Sequence, residues 1–402
     1  MHFVWATCRV APGPASYAGL VRRLLALVSA IIFVDAMLFT ALTPLVPHYA
    51  HEFGLSKAEA GILVATFGAG ALVGGIPGGL LAARFGPKRA VVSGLVLLGL
   101  ASFAFAAADT AVTLGAARFV QGLSSTTTWA GALGWLTVSA PREQRGEMIG
   151  TAFGAAVFGA LLGPMVGGVA DLVGIRASFL AIGVLALGFA GLASLARGVR
   201  EERSSSGGLR RALGDRRFLG GLWLNTLPAL LFGILVVLAP LALDRHGWSP
   251  FKIALVFFLT GLVEAGLNPL LGRLSDRIGR LLPIRVALGA SMVVAVALAA
   301  ASAPVAIALL VCVAGISFGG FYTPGMSLTS HRAELAGLAQ GLAFGLMNSA
   351  WALGNVTGPT LGGALAEVFG DPIPYLVGAG LCGLTLVAAV RVPARRAAAR
   401  AA

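Results

Sequence analysis

Three ionisable side chains stand inside long apolar runs: Asp35 in "FVDAMLFTALTPLVP", Arg118 beside "RFVQG", and Glu264 in "FFLTGLVEAGLNPLLG". A charge at the middle of a membrane-spanning helix costs about 2.5 to 3.5 kcal/mol on insertion scales, so each is expected to face a partner or water. Dry surroundings favour the neutral form of a carboxyl group and a nearby cation favours its ionised form. A buried carboxylate can therefore take up or release a proton as its surroundings change. That is the chemistry of a proton carrier or a cation ligand, and Asp35 is its first candidate; an Asp capping a local bend is the structural alternative.

Spacings of three and four put Gln121, Gly122 and Ser125 on the face of Arg118, with Trp129 continuing it. Such a polar stripe suits a fixed cation that acts on a nearby carboxylate, and equally an Arg that satisfies carbonyls of a neighbouring helix. Thr260, Glu264 and Asn268, four apart, line one face of another helix. Glu264 is read as a titratable or substrate-binding group facing a cavity, with a structural hydrogen bond to another span as the alternative. Gln121, Trp129, Asn225, Tyr322 before Pro324, and the Asn348, Trp351, Asn355 series are further substrate-binding candidates for the cavity wall. Aromatic side chains suit flat or cationic ligands, although each alone also suits packing or the membrane interface.

The elements that must position these groups follow from composition. The chain has 402 residues, of which 57% are apolar, 11% are charged and 56 are glycine. Its mean hydropathy is +0.90. That is the composition of a polytopic membrane protein. A span needs about 20 apolar residues. Twelve runs qualify, near 24-46, 58-82, 90-108, 111-139, 148-171, 177-196, 218-243, 251-274, 284-301, 304-330, 337-368 and 374-391. No long alternating strand pattern competes, so an all-α membrane fold is expected, not a barrel.

The net charge of +13 does not point to nucleic acid, because of where it sits. If the N-terminus is cytoplasmic, all but five of the 29 Lys and Arg lie in the N-tail, the even-to-odd loops and the C-tail. Lys57, Arg176, Arg245 and Lys252 lie on the other side, and Arg118 within a span. This asymmetry predicts a multi-pass protein of the inner or plasma membrane with both termini cytoplasmic. No cleaved signal is expected in the first 23 residues, which contain Arg9, Arg22 and Arg23.

"ARGVREERSSSGGLRRALGDRR" is the one compositional break. It divides the chain into an N-tail (1-23), a six-span bundle (24-196), a linker (197-217), a second six-span bundle (218-391) and a C-tail (392-402). "GGLLAARFGPKR" and "LGRLSDRIGRLL" match at an offset of 193, as do Pro47 and Pro240; "GALLGPMVGG" and "GNVTGPTLGG" match at 195. An even number of spans per half makes the repeats parallel, with a cavity between two bundles. Small residues let helices approach closely in lipid, and Pro164 and Pro359 kink theirs, so the paired patterns are read as hinge or sliding surfaces. The alternative is plain helix packing.

Gly150, Gly159, Gly163-Pro164, Gly167-Gly168, and likewise Gly345, Gly354, Gly358-Pro359, Gly362-Gly363, resemble the antiporter motif of drug-proton antiporters in the major facilitator superfamily. The resemblance covers nearly the whole chain. Gly79, Leu81, Arg84, Gly86 and Lys88, with Arg89, are similar to that superfamily's loop signature after the second span, but Ala83 stands at its acidic position. Gly272, Leu274, Asp276, Arg277, Gly279 and Arg280 form the second copy, with the acid kept. The resemblance implies a cytoplasmic latch at these loops, with Asp276 serving where the first copy has lost its carboxylate. Arg118, Gln121 and Gly122 also resemble a family motif. The stretch from Asp35 through Pro44 and Pro47 resembles the first span of multidrug exporters and vesicular amine transporters. The resemblance gives that Asp a role with substrate and proton.

Competing chemistries have little support. "GAGLCG" at 378 to 383 lies within a span, with no strand before it and no acid after it, so no dinucleotide site is expected. His48, His51, His246 and His331 lack metal-ligand spacing, and Cys8, Cys312 and Cys382 are too scattered for a disulfide framework. Neither a metal nor another cofactor is expected, and no catalytic pairing or Walker pattern is present. The reading is a monomeric proton-coupled exporter of small, largely apolar, cationic or neutral compounds, working by alternating access. An uptake symporter or facilitator on the same fold, and a non-transporting membrane enzyme or sensor, are the alternatives.

Overall fold

In lipid a chain must satisfy its backbone hydrogen bonds within each segment, and the described residues do so as helices, with no strand among them. The computed structural model describes residues 14–139, 144–196, 208–278, 281–338 and 340–390. Within these, the side chains at 14–18, 20, 145, 146, 267–278, 323, 340 and 341 fall outside the described set. So do residues 1–13 of the N-tail, the whole C-tail, residues 197–207 of the linker, and Gly279 with the side chains of Asp276 and Arg277.

The first set of helices is α1 (Pro14–Ala41), a 3-10 turn (Thr43–Leu45), α2 (Val46–Phe53), α3 (Lys57–Phe85), α4 (Pro87–Ala106), α5 (Ala111–Ser139), α6 (Arg145–Val173) and α7 (Ile175–Leu195). The second is α8 (Leu209–Gly214), α9 (Arg216–Arg245), α10 (Pro250–Ile278), α11 (Leu281–Ala300), α12 (Pro304–Gly319), α13 (Tyr322–Leu335), α14 (Gln340–Phe369) and α15 (Pro372–Val390). Nine segments among the described residues are long and apolar enough to cross a membrane.

Local chemistry sets the boundaries. Ser56 accepts from the Glu59 amide while Glu59 accepts from the Ser56 amide, a reciprocal cap that starts α3. Gly86 turns the chain from α3 into α4 at φ +94°, which a side chain would resist. Two expected spans are broken. The first stops at Ala41, ahead of Pro44 and Pro47, and resumes through the 3-10 turn. The tenth, expected to be continuous over 304-330, stops at Gly319, because Pro324 offers no N–H to the Gly320 carbonyl; α13 restarts at Tyr322. Part of the expected linker is docked: Ala212 in α8 is buried with Phe218, Ala333 and Leu338.

Each set packs mainly within itself, and the two meet chiefly through α3 with α14 and α6 with α10. Both seams are tight at one end and part toward the other. A methyl at Gly61 would strike the Pro359 carbonyl; one at Gly68 would lie 3.0 Å from Asn355, one at Gly75 3.7 Å from Ser349, and one at Gly79 would meet nothing within 4 Å. Along α6, Gly168 presses on Phe251 and Ala254, whereas Gly154 and Gly150 have open space.

The tight end is also bolted by polar contacts between the sets. Lys57 Nζ lies 2.5 Å from Asp371, which Arg245 also grips, and the Ala58 amide donates to Glu367 over 2.9 Å. His51 Nε2 lies 2.7 Å from Asp244. Partial burial alone would favour a neutral Asp371, but the hydrogen bonds from Lys57 and Arg245 prevail and hold its carboxyl below the ordinary aspartate range.

Candidate transport site

Between the two sets lies a cavity of about 310 Å³. The first set supplies Phe39, Thr43, Arg118 and Pro164; the second supplies Phe232, Glu264, Tyr322 and Trp351. Its walls are mostly apolar, with one guanidinium and one carboxylate among them, which suits a small amphipathic organic molecule.

Arg118 is buried at the end of α1. A helix leaves its last carbonyls short of intrahelical partners, and α1 ends just ahead of a proline-rich break. Arg118 fills the gap: Nη1 donates to the Leu38 carbonyl at 3.3 Å and Nη2 to the Phe39 carbonyl at 3.1 Å. Nη1 also reaches Gln121 Oε1 at 3.2 Å, and the guanidinium lies 4.8 Å from the Phe67 ring centre. Of the two readings of Arg118, the geometry matches the one that satisfies carbonyls of a neighbouring helix. Among the described residues no carboxylate pairs with it. Phe39 and Phe67 continue as an aromatic row to Trp351, at ring separations of 5.0 and 5.1 Å.

Asp35 does not line this cavity. It is buried between α1 and α5, where its Oδ2 accepts from Ser125 Oγ at 2.6 Å and from Trp129 Nε1 at 2.8 Å. Glu264 does line it. A methyl at Gly319 would run into the Glu264 carboxyl, and one at Gly315 into Thr260, so two glycines of α12 receive two polar side chains of α10. The break before Tyr322 lies directly beyond that contact.

The cavity unites Arg118, Thr260, Glu264, Tyr322, Trp351 and Asn355 of the expected set, and leaves out Asp35, Gln121, Trp129, Asn225 and Asn348. Gln121 is buried and donates to Ser102 at 3.4 Å. Trp129 turns to Asp35, and Asn225 donates to the Gly221 carbonyl at 2.8 Å. Asn348 is exposed. Helical spacing puts residues on a common face but does not say which neighbour covers each turn of it. Phe39 and Phe232 were missed; nothing distinguishes them in sequence from packing aromatics, although Phe39 lies just ahead of the Pro44 break.

The paired glycine patterns divide their work in the same way in both sets. Gly159, Gly163 and Gly167 rest on the α1 backbone, and Gly354, Gly358 and Gly362 rest on α9, so these stripes pack within their own set. The second glycine of each doublet turns to the other set: Gly168 to α10, and Gly363 to the start of α3. Pro164 leaves the Ala160 carbonyl without its amide, and Thr40 Oγ1 donates to it at 2.9 Å. Pro359 sits at the crossing of Gly61 and Gly233. In the loop signature, a methyl at Gly79 would meet nothing within 4 Å, and among the described residues Arg84 makes no ion pair or hydrogen bond across the seam; Lys88 donates to the Ser194 carbonyl at 2.6 Å. Gly272, Asp276, Arg277 and Gly279 give no contacts, as their side chains or the whole residue lie outside the described residues.

Known proteins agree with this architecture. The chain is similar to quinolone resistance protein NorA of Staphylococcus aureus (strain MSSA476), 26% identical over 354 residues, covering 86% of this chain and 90% of that protein. It is also similar to multidrug resistance protein 2 of Bacillus subtilis (strain 168), 24% identical over 351 residues, covering 84% and 87%. Among solved structures, a bacterial homologue of the human lysosomal transporter Spinster, inward-facing and occupied, matches with a TM-score of 0.78 at 16% identity, over 92% of this chain and 97% of that one. The D-xylose-proton symporter matches with a TM-score of 0.72 at 18% identity, over 93% and 97%. These two establish likeness of fold. The model of the Major Facilitator Superfamily matches residues 28–344, well over half of the 402, and the chain therefore belongs to that superfamily and is a multi-pass membrane transporter.

Proposed function

We propose that the chain is a proton-coupled exporter of small, largely apolar compounds, cationic or neutral, in the cell membrane. The observation that carries this reading is the cavity shared by both sets, bolted at the Lys57 end and flanked by seams that part toward the other. The distribution of Lys and Arg supports a bolted end on the outside and both termini in the cytoplasm, and in that orientation the cavity is inward-facing. The relatives' names, quinolone resistance and multidrug resistance, support export as the direction.

In this reading cargo sits among Phe39, Trp351 and Tyr322 with Glu264 as the counter-charge, while Asp35 takes the proton in its own niche. The two sites share α1, which carries Asp35 and, one turn on, Phe39 in the cavity wall. A proton on Asp35 weakens its grip on Ser125 and Trp129, which loosens α1 from α5 and changes the cavity wall. Binding of cargo and of proton then oppose each other by the same factor in both directions. The Gly-Pro helices α6 and α14 are the surfaces along which the sets rock.

The test is uptake into proteoliposomes of a panel of lipophilic cations and neutral aromatics, with and without an imposed proton gradient. Exchange of protons for cargo supports the reading. Transport indifferent to the gradient, or cargo moving in the same direction as protons, overturns it.

A further inference from the structure

Asp35 is held asymmetrically. Both donors, Ser125 Oγ at 2.6 Å and Trp129 Nε1 at 2.8 Å, reach Oδ2, while Oδ1 is buried with no hydrogen-bond partner. The indole N–H can only donate, so Trp129 supports the carboxylate and has nothing to offer a proton placed on the same oxygen. An arriving proton therefore goes to Oδ1. Trp129 is itself braced by Phe153 of α6, edge to face at 5.4 Å.

No charged side chain among the described residues pairs with Asp35 from the helices around it. On α1 itself the charged groups are Arg22 and Arg23, more than two turns away; α5 offers Arg118, already occupied by the Leu38 and Phe39 carbonyls. On α6, Arg145, Glu147 and Asp171 stand at the two ends, and on α7 Arg176 stands in the first turn. Neutral donors are thus the main means by which the protein adjusts this carboxylate.

We propose that Trp129, assisted by Ser125, is the positioning residue that sets the proton affinity of Asp35, presenting Oδ1 as the atom that is protonated in each cycle. This rests on Asp35 being the coupling site, as put forward above. It moves Trp129 from the substrate wall, where its spacing had placed it, to the proton site. It also gives α6 a route to that site: a shift of Phe153 as the α6 seam rocks displaces Trp129 and changes how firmly Asp35 holds its proton.

The test is the pH profile of gradient-driven transport for the wild type, Trp129→Phe, Ser125→Ala and Asp35→Asn. Trp129→Phe keeps the ring and removes the donor. A hydrogen bond to a charged group of about 1.5 kcal/mol corresponds to about a tenfold tighter hold on the proton, an alkaline move of the midpoint by about one pH unit. Ser125→Ala moves it the same way, and Ser125→Thr restores it. The carbonyl stretch of protonated Asp35, identified by its absence in Asp35→Asn, follows the same order in difference infrared spectra. If both donor variants are folded, or Ser125→Ala alone is, and the midpoint stays at the wild-type value while Asp35→Asn is uncoupled, the positioning role is overturned and the coupling site stands. If Asp35→Asn remains coupled, the underlying reading fails.

Discussion

In the first half, α3 and α5 meet along Gly70, Gly74 and Gly78, where any methyl would strike the backbone or hydroxyls of Phe119, Leu123, Thr126 or Thr127. In the second half, α10 and α12 meet by fitting Thr260 and Glu264 into the gaps left by Gly315 and Gly319. At the repeat offset of 193, Glu264 stands where the first half has Ala71, and Gly315 where it has Gly122. The first half keeps its intramembrane acid in a separate niche behind a closed seam; the second sets its acid on the cavity wall, beside a helix that breaks at Gly320. Two carboxylates that look alike along the chain are thereby given different environments. One is held dry by fixed donors and suits a proton, and the other faces the space where cargo can sit.

The largest expected effect breaks that contrast on its first side. Asp35→Asn reduces proton-driven transport in vesicles to background while the purified protein keeps its helical content and still binds cargo. The second concerns the seams. Gly363→Leu drives a side chain into the Lys57 backbone and disfavours the bolted end by about 1–3 kcal/mol, the usual cost of overpacking. Gly345→Leu, in the same pattern but with open space around it, leaves the state unchanged. Spin-label distances across the Lys57 end distinguish the two variants.

Glu264→Gln sharpens the contrast from the other side. It raises KM for cationic cargo about tenfold, equivalent to about 1.4 kcal/mol, and leaves neutral cargo and the proton requirement in place. A radiotracer uptake series on paired cationic and neutral compounds reads this directly. The smallest effect belongs to Asp371→Asn, since its partners are partly exposed and such pairs are worth about 0.2–1 kcal/mol. Because Asp371 has its proton affinity lowered by Lys57 and Arg245, the bridge is fully present above the ordinary aspartate value of 3.8 and is lost as pH falls through the lower bridged value. The part of the closure that Asp371 supplies is therefore insensitive to pH across the neutral range, which the same spin-label distances, compared between the wild type and Asp371→Asn, check.

Much of this was legible along the chain. Apolar runs and polar breaks mark the helices because lipid leaves the backbone no other partner. The paired Gly-Pro patterns mark close crossings, and the structure adds that Gly167 and Gly168, like Gly362 and Gly363, face different partners. The break at Gly320 was not legible, since a single proline four residues on can kink a helix or end it. Nor was the separation of Asp35 from Glu264: spacing orders side chains on one helix, and only packing decides that α5 covers Asp35 while α12 leaves Glu264 beside the cavity.

The most direct measurement is proton release on cargo binding by the detergent-purified protein, read by calorimetry in buffers of different ionisation heat. The account predicts that a bound cargo molecule displaces a proton from the wild type and from Glu264→Gln, and none from Asp35→Asn. Equal release from the wild type and Asp35→Asn would contradict it.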